Sequence, residues 1–169
     1  MKVLQLCKKF PYPLQDGESI AIQHISRSLR DMGCEMTLLT MNTSKHYYKT
    51  DEAPLPTELS HYKEIYAVDV DNTIRSWDAF KNLFSKESYH ITRFQSDAFA
   101  DQLLALLKKN NYDIIQLETL YLAPYYDLIK NNSDALIVMR AHNIEHEIWD
   151  RITEQIDFTP KKLYLSYLA

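Results

Sequence analysis

The sequence predicts an α/β fold built on a parallel sheet. Short apolar runs alternate with helix-period segments along most of the 169 residues. The opening order is strand, helix, strand, which builds a right-handed parallel crossover. The run "ALIVM" is continuously apolar, as strands covered on both faces are.

The elements follow in order. "KVLQLC" (Lys2 to Cys7) is short, apolar and bounded by "KKFPYP", so it reads as a strand entering a loop that Pro11 and Pro13 keep irregular. In "ESIAIQHISRSLRDMG", Ile22, Ile25, Leu29 and Met32 recur at helical spacing, and Gly33 fits the stop position. "EMTLLTM" (Glu35 to Met41) is the second strand. The stretch 42–90 is less regular. "DEAPLPTE" is a loop by its prolines, "KEIYAVDV" a strand with Ile65, Ala67 and Val68 inward, and "TIRSWDAFKNLF" helical. Phe99, Leu103, Leu106 and Leu107 then form one face of a helix ending at Asn110-Asn111. "YDIIQLE" is a strand, and "APYYDLIKNN" a helix with Pro124 in its first turn. "ALIVM" is expected to be fully buried. "IEHEIWDRI" opens another helix, with Ile144, Ile148, Trp149 and Ile152 as its apolar face. "PKKLYLSYLA" starts a helix at Pro160 and carries no stop signal. The expectation is therefore one domain, 1–169, cut from a longer protein.

Composition limits the function. A domain of this length buries roughly 70% of the surface its unfolded chain exposes, so folding requires no metal or disulfide. Cys7 and Cys34 form no metal-type pair. "KVLQL" is too short for a secretory core, and no apolar run approaches the ~20 residues of a membrane span. A cytoplasmic location with both thiols free is expected. Net charge is -4, which argues against a nucleic-acid partner. The basic pairs Lys8-Lys9, Lys108-Lys109 and Lys161-Lys162 are expected to be solvated element ends.

The stretch "RAHNIEHEIWDRI", from Arg140 to Ile152, allows three readings. His142 to His146 matches H-x-x-E-H, a zinc-peptidase pattern. Asn143 is a good helix N-cap, however, which leaves His142 outside the helix and separates the two imidazoles. No metal is expected. Alternatively, Glu145 and Glu147 merely serve the positive end of a helix dipole. The third reading rests on place, since ligands of open α/β sheets bind outside the carboxyl ends of the strands. That edge should gather Asp16-Gly17 at a helix start able to receive phosphate, Glu118 and Tyr121 after the next strand, and Arg140 with His142. Tyr47, Tyr48 and Trp77 could stack on a sugar ring, with packing the better reading for Trp77.

"FPYPLQDGESIAIQHISRSL", "GCEMTLLTM", "YDIIQLETLYLAPY" and "RAHNIEHEIWDRI" together resemble the N-terminal domain of family 4 retaining glycosyltransferases. The resemblance spans nearly all of the chain and is weakest in the middle. It implies a Rossmann-like domain forming the acceptor-side half of a two-domain GT-B architecture. The donor-binding domain would lie outside this chain, which alone would be inactive. The implied partners are a nucleotide-sugar donor, a substrate rather than a cofactor, and a glycan or lipid-linked acceptor. Many such enzymes work on cell-envelope lipids or polysaccharides in peripheral contact with the inner face of the cytoplasmic membrane.

By the same resemblance, Gly17 matches the first glycine of a loop near the donor phosphates. Glu18 stands where that loop has its second glycine. His142 matches a histidine that positions the donor sugar near the reacting centre, so it is the residue assigned to catalysis. Glu118, Tyr121, Arg140 and Glu145 are expected acceptor or cleft contacts. The alternative is a non-catalytic α/β domain that binds a ligand or a protein.

Overall fold

A computed structural model describes residues 1–49, 54–73 and 89–142. Among the described residues, five strands form a single sheet in the order β3-β2-β1-β4-β5, every neighbouring pair parallel. They are β1 (Lys2–Cys7), β2 (Glu35–Thr43), β3 (Glu64–Val70), β4 (Ile114–Leu117) and β5 (Leu136–Met139). The α-helices among the described residues are α1 (Gly17–Asp31), a single turn α2 (Tyr89–Thr92), α3 (Asp97–Lys109) and α4 (Tyr126–Asn132). The expected α/β class and parallel sheet are what the chain adopts. The segments read as helical from "TIRSWDAFKNLF", "IEHEIWDRI" and "PKKLYLSYLA" lie outside the described residues, in part or wholly, as do Trp77, Glu145 and His146.

Strand alternation divides the core in two. Val3 and Cys7 of β1, with Met36 and Leu38 of β2, pack with Ile22 of α1 on one face. Leu4, Leu6, Leu39, Met41, Ile115 and Leu117 meet Phe99, Leu103, Leu106 and Leu107 of α3 and Ile129 of α4 on the other. The face expected of α3 is the one it buries. Full burial of side chains of this size contributes roughly 1.5–3 kcal/mol each, so helices on both faces account for much of the fold's stability. On β3, Ile65 and Ala67 face the α1 side while Val68 faces α3. An edge strand alternates rather than turning all three inward.

Three local expectations are corrected. The buried stripe of α1 is Ser19, Ile22, Gln23 and Ser26, while Met32 lies beyond the last turn and is 72% exposed. Apolar periodicity overlooks such a stripe because its polar members find tertiary partners underneath: the Gln23 amide N–H donates to the Glu58 carbonyl, and Ser26 Oγ lies 2.7 Å from His61 Nε2. Second, β5 is the outermost of the described strands and not a fully buried one, with Leu136 63% and Met139 48% exposed. Third, Pro124 sits in a 3-10 segment, Leu120–Tyr125, and α4 begins only at Tyr126.

Capping follows the sequence signals. Gly33 adopts φ 88°, the left-handed stop that favours glycine. Asp16 caps α1 by accepting from the Ser19 N–H at 2.9 Å, and its carboxylate meets Lys9 Nζ at 2.6 Å. Partial burial raises the Asp16 pKa, but the hydrogen bonds from Lys9 and Ser19 outweigh it and bring the value down to about 2 from 3.8. A lowered folded-state value means stability that is present above the unfolded value and lost as pH falls through the folded one. We expect Asp16→Ala to cost about 1 kcal/mol at neutral pH. The variant should also lack the part of the native chain's acid destabilisation that falls between pH 3.8 and about 2. Urea denaturation across that window checks both. Parallel pH profiles for the two proteins would refute the assignment.

Candidate functional site

All five strands deliver polar residues to their carboxyl edge. A cleft of about 700 Å³ there is lined by Lys8 and Lys9 after β1, Thr43, Ser44 and His46 at the end of β2, and Asn72 and Thr73 after β3, with Glu18, Arg93 and Phe94 closing it. Beside it, β1 and β4 are neighbours although their connections leave in opposite directions along the sheet. This reversal is the switch point where open α/β sheets bind ligands.

Glu118 occupies that point. Its backbone N–H donates to the Leu6 carbonyl at 3.0 Å, extending the pairing of β4 with β1 by one residue. Its side chain is 0% exposed. Gln5 of β1 and Gln116 of β4, register partners on adjacent strands, both donate their amides to Oε1. Arg140 Nη1 reaches Oε2 at 3.2 Å and His142 Nε2 reaches it at 2.9 Å. The Gln5 amide is oriented from its far side by Tyr62, whose hydroxyl donates to Oε1 at 2.6 Å. Burial pushes the Tyr62 phenol well above its ordinary range, so it remains a donor. Cys7, next on the same strand face, is also raised, first by burial and then by the Glu118 carboxylate. It stays a neutral thiol rather than a nucleophile.

Arg140 ties this cluster to the first helix, since its Nη1 also approaches the Ala21 carbonyl of α1 at 3.4 Å. The strand tips thus bring together Glu118, Arg140 and His142 beside the start of α1. Arg140 is neither a solvated residue nor a pure surface ion pair: its side chain is 27% exposed, against 0% for its partner. Glu118 is enclosed, so it acts on a bound molecule only through Arg140 and His142. Tyr121 lies under Lys8 Nζ, 4.6 Å from the ring centroid, and against Phe94 at 5.0 Å. Both of these neighbours line the cleft, and Tyr121 supports them from outside its lining.

The start of α1, expected to receive phosphate, carries its own acidic groups. Asp16 already accepts one of its free N–H groups. Glu18 folds back to Lys8 and Lys9, each at 3.4 Å. Lys9 is 8% exposed, so this basic pair is not a solvated element end; two carboxylates hold its charge in the protein. Gly17 is exposed, and a Cβ there would meet nothing within 4 Å. Tyr48 stacks on Phe10 at 4.7 Å and serves packing, whereas Tyr47 borders a smaller pocket of about 160 Å³ with Tyr12 and Asp16. Among the described residues no group of His, Cys, Asp and Glu gathers as metal ligands, and His142 Nε2 is engaged by Glu118.

Gln5 and Gln116 are the site residues that sequence reading passes over. Their signal is present nonetheless. A glutamine inside a buried apolar strand must find partners, and Gln116 and Glu118, two apart, share one sheet face.

Fold and site together define a Rossmann-like α/β domain with a charged side-chain cluster at its switch point and a cleft beside it. The chain matches no family model, no curated protein and no solved structure. Among the described residues no helix is long and apolar enough to cross a membrane.

Removing the carboxylate should show how much the fold depends on it. Glu118→Ala leaves two buried amide donors without an acceptor and takes the carboxylate from the partly buried Arg140, and should cost about 3 kcal/mol or more. Gln116→Ala removes one donor and should cost about 1 kcal/mol. Chemical denaturation at neutral pH measures both, and equal losses for the two variants would contradict the hub assignment.

Proposed function

We propose that this domain is the acceptor-side half of a retaining glycosyltransferase, acting with a second domain that binds a nucleotide-sugar donor. The observation that supports it best is the arrangement at the switch point, where Arg140 and His142 are anchored on Glu118 next to a cleft of about 700 Å³. The lining is rich in hydroxyl, amide and cationic groups with one aromatic, Phe94. Such a surface suits a hydroxyl-bearing glycan or a lipid-linked sugar better than an apolar ligand. In this reading the acceptor occupies the cleft and His142 contacts the donor sugar near the reacting centre. Gly17 leaves room for the donor at the start of α1. Glu18, neutralised by Lys8 and Lys9, need not repel a diphosphate there.

His142 is a positioning group in this reading, and the leaving diphosphate serves as base. The sugar passes from the donor to an acceptor hydroxyl with retention of configuration. The donor's diphosphate contacts belong to the second domain.

The test uses the protein expressed from its complete reading frame, screened with nucleotide-sugars for release of nucleoside diphosphate. His142→Ala should lower transfer by more than about tenfold, equivalent to ~1.4 kcal/mol of barrier, and cost only about 1 kcal/mol of stability. Unchanged turnover would remove His142 from the site. Ligand capture with no donor cleavage across the screen would favour a binding-only domain.

A further inference from the structure

The geometry points to Glu118 as the residue that fixes the tautomer and orientation of His142, so that His142 meets its ligand as a hydrogen-bond acceptor. The part of this inference that concerns transfer rests on the proposed function; the tautomer itself does not.

Four donor groups converge on the Glu118 carboxylate: the amides of Gln5 and Gln116 on Oε1, and Arg140 and His142 on Oε2. An arginine only donates. Turning either amide over would set its carbonyl oxygen against Oε1, and the Tyr62 hydroxyl already holds the Gln5 oxygen on the opposite side. A proton on Oε2 would face the Arg140 guanidinium at 3.2 Å. The carboxylate is therefore acceptor-only, and the 2.9 Å contact requires the proton on His142 Nε2. In the neutral ring the lone pair then sits on Nδ1.

No described residue hydrogen-bonds that nitrogen. The neutral ring consequently takes a group that donates, such as a sugar hydroxyl, and disfavours an unprotonated phosphate oxygen. Arg140, anchored on the same carboxylate oxygen, supplies the adjacent cation. The selection between hydroxyl and phosphate is thus made by a carboxylate that no ligand can touch.

Glu118→Gln keeps the shape and reverses the polarity. The introduced amide turns its oxygen toward the two donors of Gln5 and Gln116, which leaves its NH₂ facing both His142 and Arg140 Nη1; the partly exposed guanidinium has to swing away, whereas the imidazole can answer by moving its proton. His142 then has to accept at Nε2, and its proton moves to Nδ1. A carboxylate-to-amide change beside a catalytic histidine acts in this way in the serine-protease triad, where it produces the wrong tautomer.

The experiment is long-range ¹H–¹⁵N correlation of the imidazoles in the full-length protein, with the His142 signals identified by their loss in His142→Gln. In the native protein at a pH where the ring is neutral, Nε2 should appear as the protonated nitrogen and Nδ1 as the lone-pair nitrogen. In Glu118→Gln the two should exchange roles. A native ring protonated at Nδ1, or a folded Glu118→Gln protein that keeps the native pattern, overturns the inference. If Glu118→Gln does not fold, the native spectrum still decides. Transfer is read separately. It should fall in Glu118→Gln by more than about tenfold, comparably to His142→Ala. An exchanged tautomer in a protein that shows no transferase activity would sink the proposed function and leave the positioning role standing.

Discussion

A carboxylate with no access to solvent is the constraint on which this domain turns. Taking a charge of this kind out of water costs several kcal/mol unless hydrogen bonds replace the lost hydration. For Glu118 the replacements come from β1, β4 and the segment following β5. They are in place only if those strands lie side by side, parallel, in the observed register. Gln5 opposes Gln116 across the β1–β4 pair, and a one-residue slip would turn one of the two amides to the opposite face. The polar cluster therefore checks the sheet order and register, while the apolar layers on both faces stabilise it.

The same arrangement gives the site its rigidity. Arg140 and His142 lie just beyond β5, the outermost of the described strands. Their contacts with an enclosed carboxylate, and the contact of Arg140 with the α1 backbone, hold them from beneath. Support of this kind is what a functional side chain needs from its surroundings. The opposite flank of the edge uses charge in a comparable way. Asp16 and Glu18 retain Lys8 and Lys9 at the cleft, although the chain as a whole carries a charge of -4. The ligand-facing surface is thus more cationic than the overall composition implies.

Much of this architecture is legible from local pattern. Strand and helix periods, the Gly33 stop and the face of α3 follow from the spacing of apolar residues and from backbone preferences. Local pattern misleads where a polar residue finds its partner through tertiary contact or where coverage depends on sheet order. The α1 stripe includes Ser19, Gln23 and Ser26 because Glu58 and His61 serve two of them from below. "ALIVM" has the composition of a strand covered on both faces, yet β5 is the outermost of the described strands and is partly exposed. Lys9 looked solvated because most lysines are, and two acids folded over from the next turn enclose it.

The sequence by itself determined the α/β class, the parallel crossover and the concentration of Glu118, Tyr121, Arg140 and His142 at strand ends, since each follows from residues within one helical turn or strand of one another. Only the tertiary structure decided which of them touch. Gln5 and Glu118 are 113 positions apart, and no local preference encodes their meeting. It arises when the chain, after building β2 and β3 on one side of β1, returns to place β4 on the other. That return makes the switch point, and it turns two unremarked glutamines into the support of the site.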